Sequence, residues 1–120
     1  MIDHEAFGEL SPTTLADVVG GDGAMGIGIR PLWPGMPRVV GPAFPVRCAA
    51  GDNLMLHAAI YRAAPGSVIV VEAGDVAYAV AGGNVCAVAQ RRGIVACVVD
   101  GVIRISPRFE RSVFRSLREV

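Results

Sequence analysis

Blocks of apolar and polar positions along this chain predict a mixed α/β fold. Ser11-Pro12 opens a helix, with Ser as N-cap and Pro in the first turn. Leu15, Val18 and Val19 form its apolar face, and Gly20-Gly21 ends it. Residues 20–37, with GGDGAMGIG and PLWPGMP, read as loop. Residues 39–40 and 43–48 carry strand character, interrupted by Gly41-Pro42. Asp52 or Asn53 caps a helix through about residue 64, with Leu54, Leu56, Ala59, Ile60 and Ala63 inward.

The next stretch has the strongest pattern. Residues 67–72 (SVIVVE) form a continuous, β-branched apolar run, the mark of a strand buried on both faces. A short helix is predicted from about Asn84 to Arg92, ended by Gly93. Residues 94–99 (IVACVV) repeat the buried-strand pattern, closed by the turn pair Asp100-Gly101. Strand, helix and strand at this spacing predict a βαβ unit in a parallel sheet. The tail, residues 105–120, differs: Phe109, Val113 and Leu117 recur at helical spacing, with Arg108, Arg111, Arg115 and Arg118 on the other face. That pattern predicts an amphipathic surface helix, begun at Ser106-Pro107.

A length of 120 residues fits one domain. The hydrophobic fraction is 52% with a mean hydropathy of +0.49, mostly from Ala and Val, which suits strands buried on both faces or a surface covered by self-association. The apolar stretch 54–71 is broken by His57, Arg62, Pro65 and Gly66, so no membrane span is expected. The acidic N-terminus MIDHEAFGEL does not have the pattern of a signal peptide. Cys48, Cys86 and Cys97 lack C-x-x-C spacing, which argues against a zinc site and for a reducing, cytoplasmic setting. Net charge is zero, so no nucleic-acid footprint is indicated. All eleven basic residues are Arg. Without Lys, Schiff-base chemistry has no amine to use.

Gly21, Gly23 and Gly26 spell G-x-G-x-x-G, but they follow a helix and run into prolines, so this is loop and not a dinucleotide fingerprint. Gly82-Gly83-Asn84-Val85-Cys86 is different. It opens a helix between two buried strands, where free backbone N–H groups attract anions. In an open parallel sheet ligands sit at the carboxyl ends of the strands. Arg104 lies just past such an end and offers a two-pronged grip on a carboxylate. Asp100 reads as a turn residue and, more weakly, as a base or ligand. Asp17 reads as a solvated helix acid, His57 as a packed or surface side chain, and His4 as part of a frayed terminus. Glu72-Ala73-Gly74-Asp75 lacks the glycine pattern of a methyl-donor site, and a methyltransferase is rejected.

The stretch IRPLWPGMPRVVGPAFPVRCAAGDNLMLHAAIYRAAPGSVIVVEAG, the Gly83-x20-Arg104 spacing and VVDGVIR together resemble the RraA-like family over about residues 10–104. That family includes 4-hydroxy-4-methyl-2-oxoglutarate and 4-carboxy-4-hydroxy-2-oxoadipate aldolases and the regulator of ribonuclease activity A. The resemblance implies a layered α/β domain over residues 1–104, lacking the family's C-terminal strands, followed by a divergent tail. It implies a metal-dependent lyase that cleaves oxo acids to pyruvate, often decarboxylates oxaloacetate, and works as a ring-shaped homotrimer. By the same likeness, the backbone at Gly83, Asn84, Val85 and Cys86 holds substrate, and Arg104 binds its carboxyl and carbonyl end. A divalent cation, commonly Mg²⁺, would act as Lewis acid on the pyruvate enolate.

Two departures alter that picture. The family's metal-anchoring Asp after the Arg is Ile105 here, and an aliphatic side chain cannot coordinate a hard cation. Asn84 stands where an acid often follows the motif glycine. Beyond Arg104 the likeness stops, as expected of a truncated or frame-changed relative. The lyase is therefore expected to be impaired. The alternative is a non-catalytic family member that binds a ribonuclease-type protein partner, and a third reading is a damaged gene product.

Overall fold

Alternation sets the central sheet. In β3 (Val68–Glu72), Ile69 and Val71 are buried while Val68 and Val70 are half-buried, because successive side chains leave opposite faces of a strand. In β5 (Ala96–Arg104), Cys97, Val99 and Ile103 join the same core. The structure is a computed structural model and describes residues 3–104 and 114–119. The other elements are α1 (His4–Gly8), α2 (Pro12–Val18), β1 (Arg30–Pro31), β2 (Ala43–Arg47), α3 (Leu54–Arg62), β4 (Ala79–Gly82), α4 (Gly83–Arg91) and β6 (Phe114–Glu119).

The strands form one sheet in the order β1-β6-β5-β3-β2, with β4 also against β5. Every pairing is parallel except β1 with β6. The expected mixed α/β fold with a parallel βαβ unit is what the chain adopts. β5 serves two neighbours along one edge: residues 96–100 pair with β3 and residues 102–104 with β4. Gly101 sits at the changeover, where a Cβ would lie 2.4 Å from the Cβ of Ala73. Glycine there lets the segment after β3 cross close to β5 before it returns as β4.

Helices α3 and α4 cover one face of the sheet. Leu56, Ile60, Cys86 and Ala89 pack there with Ile69, Val71, Val99 and Ile103. Arg92 ties the two helices together: its guanidinium lies 4.7 Å from the Tyr61 ring centre and donates to the Tyr61 carbonyl at 3.2 Å. At the sheet's open edge, the Cys48 N–H donates to the Glu72 carbonyl at 2.8 Å. By alternation the nitrogen of Pro45, in the middle of β2, then faces away from β3.

Several local expectations change. The strand predicted to end at Asp100-Gly101 runs on to Arg104, because β4 supplies a second partner where β3 stops. β4 itself was not predicted. Residues 39–40 lie outside any strand, and Leu54, expected inward, is 62% exposed. The apolar face of α2 is only half covered: Leu15 is half-buried, but Val18 is 80% exposed. In the tail, Phe114–Glu119 is a strand and not a helix. The unpaired backbone edge of β5 offers a row of hydrogen bonds that overrides a local helical period. The rest of the predicted tail helix, residues 105–113, lies outside the described residues. Among the described residues, no helix is long and apolar enough to cross a membrane.

Candidate functional site

The parallel pairing of β4 and β5 places Gly82 directly opposite Arg104. Helix α4 begins at the next residue, so its N-terminus and Arg104 share the carboxyl end of the sheet. The predicted pair of site elements is thus brought together. Gly82 is the N-cap, in extended backbone, and no side chain caps the first turn. A Cβ at Gly82 would stand 3.2 Å from the Arg104 carbonyl oxygen, so the strands meet here through backbone.

The first turn offers amides more than side chains. Asn84 is exposed, Val85 half-buried and Cys86 fully buried. Helix geometry commits the Cys86 N–H to the Gly82 carbonyl four residues back. The N–H groups of Gly83, Asn84 and Val85 have no intrahelical acceptor and face the sheet end. Together with the helix dipole, they favour a small anion. The Cys86 side chain is fully buried in the core beneath this turn.

Arg104 is exposed at the last position of β5. Its position alternates with the core residues Cys97, Val99 and Ile103, so it leaves the face opposite α4. An anion held by both elements sits at the strand end, between the helix amides and the guanidinium. Within residues 3–104 no carboxylate pairs with Arg104; the ion pair found there joins Arg47 to Glu72.

Other candidates lie elsewhere. Asp100 is exposed beside Glu72 on the neighbouring strand, four residues before Arg104 and about 13 Å away at the usual strand rise. His57 and Asp17 are exposed on α3 and α2, and His4 is half-buried in α1. The Gly21–Gly26 glycines follow α2 with no strand before them. Ile105 lies outside the described residues. Two features are not legible in the sequence. Asn53 donates to the Val80 carbonyl at 2.9 Å, and Asp75 keeps a buried Oδ1 without a hydrogen-bond partner. Neither stands in a motif; each is set by how residues 73–80 cross the end of the sheet.

A resident cation needs converging oxygen, nitrogen or sulfur ligands. Among the described residues no three His, Cys, Asp or Glu side chains converge to hold one.

Cys48, Cys86 and Cys97 are free and buried. Burial pushes the Cys86 thiol up to about 11 and the Cys97 thiol up to about 12, the nearby Cys86 adding to the second shift. At pH 8 both are expected to react with a thiol dye at least about a hundredfold more slowly in native than in unfolded protein. Rapid native labelling of either would contradict this packing. The folded state holds these protons more tightly than the unfolded chain, whose value is 9.0. Their stabilisation is thus complete below pH 9 and is lost as pH rises through about 11 to 12.

Comparison with known proteins agrees with this architecture. The family model described as Aldolase/RraA, RraA-like, matches residues 12–115. A Halalkalibacterium halodurans protein with the provisional name 4-hydroxy-4-methyl-2-oxoglutarate aldolase is 42% identical over 99 residues, covering 82% of this chain and 47% of that protein. An uncharacterized protein from Pseudomonas syringae pv. tomato superposes with a TM-score of 0.80 at 28% identity, over 98% of this chain and 56% of its own. The RNA-processing inhibitor RraA from Thermus thermophilis gives 0.78 at 23% identity, over 93% and 69%, and shares the fold. The chain thus spans about half the length of the curated relative it matches. With a family model covering most of the chain and the sheet end arranged as described, the chain belongs to the RraA-like family.

Proposed function

We propose that this chain carries the substrate-anion half of an oxo-acid lyase site, acting on acids of the 4-hydroxy-4-methyl-2-oxoglutarate type and on oxaloacetate. The observation that carries the reading is the register that sets Gly82 beside Arg104. In such a reaction the C3–C4 bond breaks as the C4 hydroxyl gives its proton to solvent and becomes a carbonyl, or as the C4 carboxylate leaves as CO2, and the electron pair moves onto the C2 ketone to give pyruvate enolate. Arg104 grips the substrate carboxylate in a fork. The amides of Gly83, Asn84 and Val85 point at the oxygen where negative charge grows, and fixed donors in that place lower the barrier. A divalent cation would supply Lewis-acid strength when bound. Ile105 stands at the family's metal-anchoring position, and its aliphatic side chain leaves the full reaction impaired in this chain.

The same substitution at position 105 favours a second reading, a non-catalytic member that acts by binding a protein partner of the ribonuclease type. Self-association as a homotrimer is part of the proposal: Leu54, Met55, Tyr61, Val76 and Tyr78 leave apolar surface exposed on α3 and the neighbouring loop. A cytoplasmic setting accords with three unpaired cysteines.

A coupled pyruvate assay separates the readings. Oxaloacetate and 4-hydroxy-4-methyl-2-oxoglutarate are supplied with Mg²⁺ or with EDTA. Weak, EDTA-sensitive pyruvate release that rises in Ile105→Asp supports the lyase. A folded trimer that stays silent in both forms supports the partner-binding protein and removes the lyase.

A further inference from the structure

We propose that Asn53 is a positioning residue, which holds the glycine-led start of α4 in line with Arg104 through one hydrogen bond to a strand bulge. The inference rests on the anion-site reading above. Its starting point is the irregular pairing of β4. Ala79 pairs with Val102 and Ala81 with Ile103, so three residues of β4 span two of β5 and Val80 is the extra one. A bulge takes the extra residue's carbonyl off the ladder, and a buried carbonyl without a donor is costly. The Val80 side chain is only 2% exposed, so the bulge lies in the interior. The Asn53 Nδ2 supplies the missing donor at 2.9 Å.

The cost to α3 shows what the side chain is for. Asn53 is the N-cap residue of that helix, yet its side chain makes no cap hydrogen bond. The Asp52 Oδ1 accepts from the Leu54 N–H at 2.8 Å instead. A cap needs an acceptor, which Ser, Thr, Asp or Asn all provide. The bond to Val80 needs a donor, which the Asn amide supplies and an Asp carboxylate cannot.

Position gives the bond its reach. Val80 is two residues before Gly82 and three before the first amide of α4. With no side-chain cap on α4, the aim of its first turn depends on how β4 is fixed. β4 is fixed on one side by three register pairs with β5 and on the other by Asn53. Nearby contacts hold the same two loops together: the Tyr78 ring lies against Gly51, where a Cβ would sit 3.3 Å away.

Asn53→Asp is the decisive variant, for it keeps size and capping ability but removes the N–H. Amide shifts and hydrogen exchange at residues 81–85 are measured by NMR, alongside titration with pyruvate and oxalate. Expected are shifted amides at Gly82–Val85 and faster exchange in the paired stretch Ala81–Gly82, with affinity lower by about tenfold, while α3 keeps its protection. Unchanged residues 81–85, with any change confined to the start of α3, would overturn the proposal. If the parent protein binds neither anion, the anion-site reading fails, and the exchange pattern at 81–85 still decides the role of Asn53. If Asn53→Asp does not fold, the native protein decides: one Asn53 side-chain amide proton is expected to be protected from exchange. Two freely exchanging protons would refute the bond.

Discussion

Arg104→Ala is expected to weaken pyruvate or oxalate binding by about 1.5–3 kcal/mol, roughly tenfold to a hundredfold. The lost group is the guanidinium at the last position of β5, directly across from the residue that starts α4. What remains is the dipole and three amides of α4, which hold an anion without neutralising it. Arg104→Lys keeps the charge but not the fork, so it should recover only part of the affinity. Because Arg104 is exposed at a strand end, the melting temperature should stay close to that of the parent. Equal affinity in parent and Arg104→Ala, by calorimetry or NMR titration, would remove the guanidinium from the site. A large fall in melting temperature would recast it as structural.

The second large effect concerns the fold that presents this site. Ile69→Ala is expected to cost about 2–5 kcal/mol of unfolding free energy. That is a large share of the roughly 5–15 kcal/mol typical of a domain. Ile69 is 0% exposed and sits between β2 and β5 under α3. Truncation there leaves a cavity that close-packed neighbours cannot fill. Val70→Ala, one residue on, removes less from a half-buried side chain on the other face, and should cost well under half as much. Denaturant titrations of the two variants test the contrast. Equal losses would mean that both faces carry the core alike.

The β-α-β centre could be read in the sequence because its signals are local. Continuous apolar runs mark β3 and β5, and Gly93, in left-handed backbone at φ +82, stops α4 where expected. The juxtaposition of Gly83 with Arg104 followed from that unit, since parallel strands send both to one end. What was missed depends on partners distant in sequence. Asp100-Gly101 has turn composition, yet it stays extended because β4 pairs beyond it. β4 is four residues of Ala, Val, Ala and Gly, too short and small to show a period. Asn53 looked like a cap because its sequence position is a cap; its donor role appears only once Val80 is seen to bulge. In Phe114–Glu119, spacing suited to a helix gave way to an available strand edge. The family likeness added the chemical roles of Gly83 and Arg104, which spacing alone leaves open between a ligand grip and an ordinary turn.

Pro45 bears on how copies of this chain can meet. A strand arriving at the outer side of β2 would look for an outward N–H near its middle and find a ring carbon instead. Sheet growth by strand addition is blocked on that side, which protects an apolar sheet from templated aggregation. Any assembly built on that side must use side chains, such as the exposed apolar groups of α3, and so stays tunable by single substitutions.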